Sequence, residues 1–479
     1  MFPWYLQLIT GVLVVVTGYF IHKVTEKLRS KNVKEQPPLY SGWIPWLGCA
    51  VEFGKSPLMF IEAKRQEASL MGPVFTLKVA GERMTFLTQP ADFQLFFQSP
   101  SVDFQKAVQD AVQNVASVTP DVFFRNHTKI HDTLKGFLAA TNLSDLTKNL
   151  FQEFKKHLSE IHKQNDTAKS TKTELLQLVR SSMYKSVISN LFGSDILPVE
   201  HEETFQELEK NFIIFDEQFE LGARLPHIFL KDFSTAKRWL LSLFADAVAR
   251  IQSDLPVSST KQNLVQVLLS VVDKEFAPNW SLLLLWASLA NAIPITFWTL
   301  AFIYSHPHVL AKTQAEMAAL LKSETTVSET NFIQLPYVKQ CVFEAIRLRS
   351  PGIITRRVVQ EVTAQGYTIP VGDLLMVSPY WAHRNPESFP EPDVFKPERW
   401  TGIDKAAFPE EFLAFGGGRY QCPGRWFALM EIHLYVALFL SMFDCHLLDG
   451  VSDVCTLHLV GTQQPADPCP VLLTNHQTP

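Results

Sequence analysis

A single cysteine, Cys422, stands between a glycine-rich loop and a long apolar segment in "LAFGGGRYQCPGRWFALMEIHLYVALFL" (413–440). The glycines permit turns that other residues avoid, and Pro423 and Gly424 shape the chain before a helix predicted to begin near Arg425. A thiol at the amino end of a helix is stabilised as a thiolate, because backbone N–H groups point at it. One thiolate suits the axial position of haem iron. The alternative is a small, buried, structural side chain.

The other five cysteines are scattered, with no C-x-x-C pair and no histidine at zinc-finger spacing. We therefore expect reduced thiols in a cytosol-facing protein rather than a disulfide framework. His127 and His131 lie four residues apart, but no H-E-x-x-H pattern or third ligand accompanies them. These two histidines are predicted to be solvated or to face a carboxylate of a haem.

Three charged residues form a second candidate constellation. Glu344 and Arg347 are spaced i, i+3 on a predicted helix, and Arg399 follows in the Pro-rich segment "EPDVFKPERW". Such a pair is a weak signal alone, because most are exposed and contribute little. Glu344 is predicted to bridge the two guanidinium groups and so to fix the cysteine loop to the core.

The elements that must position these residues are mostly helical. Helical patterns dominate from about 92 to 348, whereas "GPVFTLKVAGERMTFLT" reads as a hairpin, and "YTIP" and "LLMVSPYWAH" as strands. The chain has 479 residues, of which 47% are hydrophobic, and no internal linker, which favours one large domain with a large core or an apolar cavity. The net charge of −5 argues against a nucleic-acid partner. The predicted fold class is mainly α with small β-sheets.

The amino terminus predicts a membrane anchor. Residues 2–21 carry no charge, and this segment has about the length that a helix needs to cross a bilayer. The basic residues follow this segment rather than precede it, so a retained anchor is favoured over a cleaved signal peptide, with the following domain in the cytosol. The predicted organisation is an anchor at 1–21, a basic and Pro-rich linker at 22–48 and a catalytic domain at 49–479.

The order E-x-x-R, P-E-R-W and F-G-x-G-x-x-x-C-x-G resembles the signature series of the cytochromes P450, over essentially the whole chain. This resemblance implies the cytochrome P450 fold and a haem b (iron protoporphyrin IX) bound through Cys422, with Phe415, Gly418 and Gly424 in the haem loop. It also implies electrons from NADPH through a separate cytochrome P450 reductase, and anchoring to lipids of the endoplasmic reticulum membrane.

Two positions depart from the family pattern. Tyr420 stands where an arginine or histidine usually pairs a haem propionate, and the usual W-x-x-x-R of an earlier helix is missing. Arg357 stands where the family places another propionate arginine, with Arg356 beside it. We therefore expect Arg357 first and Arg356 second to provide the cationic partner that a buried carboxylate needs.

The segment "WSLLLLWASLANAIPITFWTLAFIYSHP" (280–307) is long and apolar, but Asn291 and Pro294 favour a buried helix over a second membrane span. By the resemblance this is the distal helix, and Ala290 and Asn291 replace the family's acid–threonine pair. Pro294 cannot donate to the carbonyl of Ala290, so the helix is expected to open there. Asn291 and that carbonyl are predicted to organise a water chain for proton delivery; the alternative is that Asn291 only satisfies the helix break.

Within the family, A-N-x-I-P and C-P-G-R-W-F-A are similar to the group of sterol 7α- and 12α-hydroxylases and prostacyclin synthase. This implies oxidation of an oxysterol, with the 7α position of 24-hydroxycholesterol as the expected target in cholesterol catabolism and bile acid synthesis. A haem isomerase of the prostacyclin synthase type and a non-catalytic haem or sterol binding protein are the alternatives. Besides Ala290 and Gly461, the predicted walls of the sterol pocket are Trp286, Leu289, Ile293, Ile353, Ile354, Val460 and Thr462.

Overall fold

The structure is a computed structural model that describes most of the chain. The predicted anchor at 1–21 and the basic part of the linker lie outside the described residues, apart from Thr17. The described stretches are 35–68, 72–194, 196–197, 199–252, 262–323, 328–403 and 410–476.

The described chain divides into two compact units. The first comprises the residues up to Asp103 together with Thr355–Val377, and the second comprises Phe104–Ile354 and the chain from Ser378 onward. The first unit is built on β-sheet and the second mostly on α-helices. All residues of the cysteine loop and of the long apolar segment belong to the second unit.

The first unit contains a six-stranded sheet with the strand order β1-β2-β3-β9-β6-β4 and a separate hairpin of β7 and β8. Its strands are β1 (Leu39–Tyr40), β2 (Val74–Val79), β3 (Glu82–Leu87), β4 (Val102–Asp103), β6 (Ile354–Val358), β7 (Val362–Ala364), β8 (Tyr367–Ile369) and β9 (Leu374–Val377). Its helices are α1 (Ala50–Lys55), α2 (Pro57–Ala68) and α3 (Phe93–Gln98).

The hairpin of β2 and β3 confirms the prediction made from alternating residues. Val74 pairs with Leu87 and Val79 with Glu82, so the turn falls at Ala80 and Gly81. Both turn residues have positive φ, 49° and 88°, which matches the right-handed twist of paired strands.

The second unit contains fifteen of the described helices and one three-stranded sheet of order β10-β11-β5. The strands are β5 (Thr171–Glu174), β10 (Phe443–Leu447) and β11 (Pro470–Asn475). The helices are α4 (Phe104–Ala116), α5 (Pro120–Phe137), α6 (Leu143–Ala168), α7 (Leu175–Phe192), α8 (Glu202–Glu217), α9 (Phe219–Arg224), α10 (Lys231–Gln252), α11 (Leu264–Leu269), α12 (Ala277–Leu289), α13 (Ala292–Ser305), α14 (Pro307–Ser323), α15 (Glu329–Phe332), α16 (Pro336–Arg349), α17 (Pro379–Ala382) and α18 (Arg425–Met442). The prediction of a mainly α chain with small sheets is confirmed.

One predicted strand is shorter than expected. The segment "LLMVSPYWAH" reads as a single strand, but β9 ends at Val377 and Pro379–Ala382 forms the helix α17. Pro379 has no N–H to continue a strand ladder, and proline is favoured in the first turn of a helix. The strand prediction for 378–383 is therefore wrong.

The most apolar helices lie in the core of the second unit. Two long apolar stretches, Ala277–Ser305 and Gly418–Met442, are long enough to span a membrane, but 67% and 72% of their most apolar windows are buried inside the protein. A helix that is hydrophobic on all faces is expected in such an interior. Helix α13 packs against α16, α18 and α7, which agrees with the prediction of a buried helix for 280–307.

Candidate haem and substrate site

The cysteine loop is closed by backbone hydrogen bonds. The N–H of Cys422 donates to the carbonyl of Phe415 (2.9 Å), and the N–H of Gly416 donates to the carbonyl of Leu413 (2.9 Å). Gly416 and Gly418 have φ of 66° and 69°, a conformation that other residues rarely adopt. The loop therefore needs its glycines to bring Cys422 to the start of α18.

Burial and the helix terminus act on the Cys422 thiol in opposite directions. Burial raises the pKa of this thiol, whereas the backbone N–H groups of Gly424 and Arg425 and the Arg425 guanidinium lower it. The helix terminus thus favours the thiolate, as the sequence predicts, but the net direction of the pKa is upward. Desolvation outweighs the local dipoles, and a cation bound at the sulfur would favour its charged form.

The donor set around Cys422 fits a haem. Among the described residues, no three His, Cys, Asp or Glu side chains converge as a site that would hold a metal ion by themselves. A lone sulfur suits an iron whose remaining ligands come from a porphyrin. A Cβ placed on Gly416 would meet no atom within 4 Å, so space is open beside the loop.

Glu344 joins two arginines, in the geometry that the sequence predicts. Its carboxylate accepts from Arg347 Nη2 (2.8 Å) and Nε (2.9 Å), and from Arg399 Nε (2.9 Å). The side chains of Glu344 and Arg347 have 0% exposure. Trp400 Nε1 also donates to Glu344 (2.9 Å), so the buried carboxylate is fully hydrogen-bonded.

His383 extends this network to the cysteine loop. Arg347 Nη1 donates to the carbonyl of His383 (2.7 Å), while His383 Nδ1 donates to the carbonyl of Arg347 (3.0 Å). His383 Nε2 accepts from the N–H of Leu413, the first residue of the loop (3.0 Å). Burial lowers the pKa of His383 to about 3, which keeps the ring neutral and able to accept at Nε2. The sequence gives no signal for this histidine.

Tyr420 lies in an aromatic cluster with both predicted histidines. Its ring stacks on Phe104 (centroids 5.2 Å apart) and lies 5.3 Å from His127 and 5.5 Å from His131. His131 Nε2 donates to the carbonyl of Gln421 (3.1 Å), which ties α5 to the cysteine loop. The structure thus brings Tyr420, which replaces the usual propionate residue, together with His127 and His131, which lie in the segment that lacks the usual W-x-x-x-R pattern.

Arg356 and Arg357 belong to the first unit. Arg357 Nη1 donates to the Glu82 carboxylate (2.8 Å) and to the carbonyl of Gly372 (2.8 Å). Arg356 is buried, with its guanidinium 5.0 Å from the ring centroid of Phe96. Their assignment to a haem propionate stays a prediction.

The distal helix is interrupted where Pro294 predicts an opening. Helix α12 ends at Leu289, helix α13 begins at Ala292, and Ala290 and Asn291 form a turn between them. Thr462 Oγ1 donates to Asn291 Oδ1 (3.2 Å), which connects the break to the carboxy-terminal loop. The predicted opening is confirmed.

A small cavity of about 20 Å³ lies beside this break. Five of its lining residues are among the residues that the sequence analysis singles out: Trp286, Ala290, Asn291, Val460 and Thr462. Five others were missed: Asp216, Phe219, Glu220, His458 and Gln464. Asp216, Phe219 and Glu220 come from α8 and α9, which no sequence motif marks, whereas His458 and Gln464 belong to the carboxy-terminal loop that also holds Val460 and Thr462.

Five predicted pocket residues do not line the cavity, and Gly461 is one of them. Leu289 and Ile293 are buried in the hydrophobic core. The N–H of Ile353 donates to the carbonyl of Leu459 (2.7 Å), so this residue contacts the carboxy-terminal loop through its backbone. Ile354 opens strand β6.

The carboxy-terminal loop is held by Glu220. One of its oxygens, Oε1, accepts from the N–H groups of Leu459 (2.6 Å) and Val460 (2.8 Å). The N–H of Gly352 donates to the carbonyl of Gly461 (3.1 Å) on the other side. The loop is therefore fixed at both edges against the distal helix.

Replacing Gly461 by alanine is expected to displace this loop. A Cβ there would lie 2.2 Å from Asn291 Oδ1, and φ is 74°. Gly450→Ala is the matched control, because φ is 79° and no atom lies within 4 Å of its Cβ. The positive φ alone costs about 1–2 kcal/mol in either variant. Denaturant titration should show a larger loss of unfolding free energy for Gly461→Ala; equal losses would contradict the close packing.

Comparisons with known proteins agree with this geometry. The family model described as Cytochrome P450 matches residues 37–469. The human 24-hydroxycholesterol 7-alpha-hydroxylase is 39% identical over 475 residues, covering 97% of this chain and 98% of the relative. The mouse enzyme of the same name is 40% identical over 474 residues with the same coverage. The human 7-alpha-hydroxycholest-4-en-3-one 12-alpha-hydroxylase is 26% identical over 485 residues, covering 92% and 91%. The chain belongs to the cytochrome P450 family.

Proposed function

We propose that this protein is a haem-thiolate monooxygenase that hydroxylates 24-hydroxycholesterol at the 7α position, in cholesterol catabolism and bile acid synthesis. The observation that carries the proposal is the 39–40% identity, over nearly the full length of both chains, to two enzymes named for that reaction. The more distant relatives with 26% identity are also named as sterol hydroxylases.

Cys422 is proposed to be the residue whose sulfur would hold a haem b. Phe415, Gly418 and Gly424 shape the loop that presents its sulfur, and the network of Glu344, Arg347 and His383 holds the loop in place. When bound, the haem supplies the activation of dioxygen that inserts one oxygen atom into a carbon–hydrogen bond. The protein would supply the sulfur and the orientation of the sterol, from a cavity wall in which the rings of Phe219 and Trp286 lie beside polar side chains.

Asn291 and Ala290 are proposed to hold a water molecule for proton delivery. The side-chain oxygen of Asn291 already accepts from Thr462, so its NH₂ group is left to donate. Residue 294 would normally donate its N–H to the carbonyl of residue 290 in a helix. Because Pro294 has no N–H, the carbonyl of Ala290 can accept a hydrogen bond from a water molecule instead. A water between these two groups would have both a donor and an acceptor beside it.

Asn291→Leu should uncouple reductant consumption from product formation. Leucine removes the donor without removing volume, and a positioned proton-transfer group contributes about 10²–10⁴-fold in typical enzymes. The measurement is product formed per NADPH oxidised. Ser288→Ala is the control, because this hydroxyl group on the preceding helix, α12, donates to the carbonyl of Leu285 in its own helix (2.9 Å). Unchanged coupling in Asn291→Leu would leave Asn291 a structural residue of the helix break.

Electrons are proposed to come from NADPH through a separate cytochrome P450 reductase, at the surface beside Cys422. Arg419, Arg425 and Lys135 line a cleft there together with Cys422, which offers positive charge to an acidic partner.

Association with the endoplasmic reticulum membrane is proposed through residues 2–21. Trp43 and Trp46 follow this segment and are 79% and 68% exposed, as expected of residues near a membrane interface.

The activity is tested with purified, haem-loaded protein, reductase, NADPH and 24-hydroxycholesterol. Mass spectrometry should identify the 7α-hydroxylated product, and omitting NADPH should abolish it. Conversion of an endoperoxide without NADPH would indicate an isomerase of the prostacyclin synthase type instead. Sterol binding without any product would indicate a binding protein.

A further inference from the structure

The wall of the cavity that faces the distal helix carries a carboxyl group among aromatic rings. Asp216 lies near the end of α8, and its Oδ1 accepts a hydrogen bond from Trp286 Nε1 on α12 (2.9 Å). The indole of Trp286 stacks on Phe219, with 3.8 Å between ring centroids and 3° between planes. No described residue hydrogen-bonds to Asp216 Oδ2. The carboxyl group therefore keeps one oxygen for a further partner.

Several other polar groups of this cavity already have partners, whereas the amide oxygen of Gln464 has no hydrogen-bond partner among the described residues. Asn291 Oδ1 accepts from Thr462, and Glu220 Oε1 accepts from two backbone N–H groups. His458 Nδ1 lies 3.8 Å from Glu220 Oε1. These contacts hold the break in the distal helix and the carboxy-terminal loop in position. Asp216 is the lining carboxyl group whose one hydrogen bond within the described part of the chain, from the indole of Trp286, could be exchanged without loosening the backbone.

The surroundings of Asp216 suit an uncharged partner. Burial raises the pKa of Asp216 to about 7, against the lowering effect of the Trp286 hydrogen bond and of Arg180. Near neutral pH this carboxyl group is therefore protonated in part of the molecules, and it can both donate and accept a hydrogen bond. A neutral hydroxyl group matches this better than a cation, because Glu217 and Glu220 already add negative charge that favours the protonated form.

We propose that Asp216 is a specificity-determining residue that hydrogen-bonds a hydroxyl group of the sterol, away from the carbon that is oxidised. This inference rests on the proposed function and extends it to the recognition of the substrate. A buried site built to hydrogen-bond a hydroxyl group discriminates strongly against analogues that lack it, because the protein's own polar group is then left unpaired.

Sterol binding exchanges the partner of Asp216. The cavity has room for about one water molecule, so a sterol must displace part of its wall. The Phe219–Trp286 ring pair is the part that is joined to α8 through a side-chain hydrogen bond rather than through the backbone. When the indole moves, the sterol hydroxyl group takes its place on the carboxyl group. The number of hydrogen bonds to Asp216 is then conserved, which limits the cost of opening.

The experiment compares Asp216→Leu and Asp216→Asn with the wild type. Dissociation constants are measured by spectral titration of the haem-loaded proteins with 24-hydroxycholesterol, cholesterol and 24-hydroxycholest-4-en-3-one. Asp216→Leu should weaken binding of 24-hydroxycholesterol by about 10-fold or more, as for a buried hydrogen bond worth about 1–3 kcal/mol. Asp216→Asn, which keeps a donor and an acceptor, should lose less.

The sterols separate the two hydroxyl groups. If the side-chain hydroxyl group is the partner, binding of cholesterol is weak in the wild type and unaffected by Asp216→Leu. If the 3-hydroxyl group is the partner, binding of cholesterol weakens with that of 24-hydroxycholesterol, and the 3-keto sterol is unaffected. Equal losses for all three sterols, or no loss for any, would overturn the inference.

Glu203→Gln is the matched control, because it removes an exposed carboxylate of the same helix, α8, that does not line the cavity. It should leave all three dissociation constants within about 2-fold. Haem content and circular dichroism report whether each variant is folded. If Asp216→Leu does not fold, the dissociation constants of Asp216→Asn test the inference instead. A wild type that hydroxylates 24-hydroxycholesterol while the variants lose affinity equally for every sterol contradicts only this inference. A wild type without sterol turnover contradicts the proposed function itself.

Discussion

Cys422→Ser is expected to abolish oxidation of the sterol and to remove most of the bound haem. The serine hydroxyl group does not ionise near neutral pH, so it cannot supply the anionic donor that Cys422 offers. No described cluster of other ligands stands ready to replace it. We expect product formation to fall by about 1,000-fold or more, which corresponds to about 4 kcal/mol in activation free energy. Haem content per polypeptide and product yield are the two measurements.

Cys455→Ser is the matched control for this prediction. Cys455 is also a free, partly exposed cysteine of the second unit. Its backbone N–H donates to the carbonyl of Gln464, a bond that does not depend on the side chain and so is kept in Cys455→Ser. Its haem content and product yield should equal those of the wild type. A Cys422→Ser protein that keeps full haem and activity would show that the iron is held elsewhere.

Glu344→Gln is expected to be the most destabilising of the charge variants. The substitution leaves the guanidinium groups of Arg347 and Arg399 beside a neutral amide, and Arg347 has no exposure to water. Removing one partner of a buried ion pair costs about 3–5 kcal/mol, because the remaining charge is uncompensated. Denaturant unfolding followed by circular dichroism should show this loss. Haem content should fall as well, because Arg347 and His383 connect the pair to the cysteine loop.

Arg125→Gln provides the comparison with an exposed pair. Arg125 and Asp121 form an ion pair on the surface of α5, with 52% and 77% of their side chains exposed. Exposed pairs contribute at most about 1 kcal/mol. If Glu344→Gln is no more destabilising than Arg125→Gln, the buried network does not hold the fold together.

The features that sequence predicted well depend on local rules. The opening at Ala290 and Asn291 follows from the missing N–H of Pro294, and the start of α18 follows from the turn residues around Cys422. The bridge from Glu344 to Arg347 is set by helical spacing. Each of these depends on a few neighbouring residues, so a motif suffices to find it.

Partners that come from distant segments could not be found in this way. His383 is a single residue in a segment that reads as a strand, and only the packed structure places it between Arg347 and Leu413. Asp216 and Glu220 resemble ordinary surface charges in sequence, and their role depends on how α8 and α9 lie against α12. Their pattern along the chain carries no information about that packing.

The predicted pocket residues on the distal helix show the same limit. Trp286 and Ala290 line the cavity, whereas Leu289 and Ile293 are buried in the core. A helix that is apolar on every face has no polar stripe to distinguish the side facing a cavity from the side facing the core. Similarly, the net pKa shift of Cys422 is decided by its burial, which the sequence does not give.

The ferrous carbon monoxide spectrum of the haem-loaded wild-type protein tests the central claim most directly. Ligation by the Cys422 sulfur predicts the strongly red-shifted absorption band that distinguishes thiolate-ligated haem from imidazole-ligated haem. A spectrum characteristic of histidine ligation, or a protein that stays colourless after loading with haem, would contradict the account.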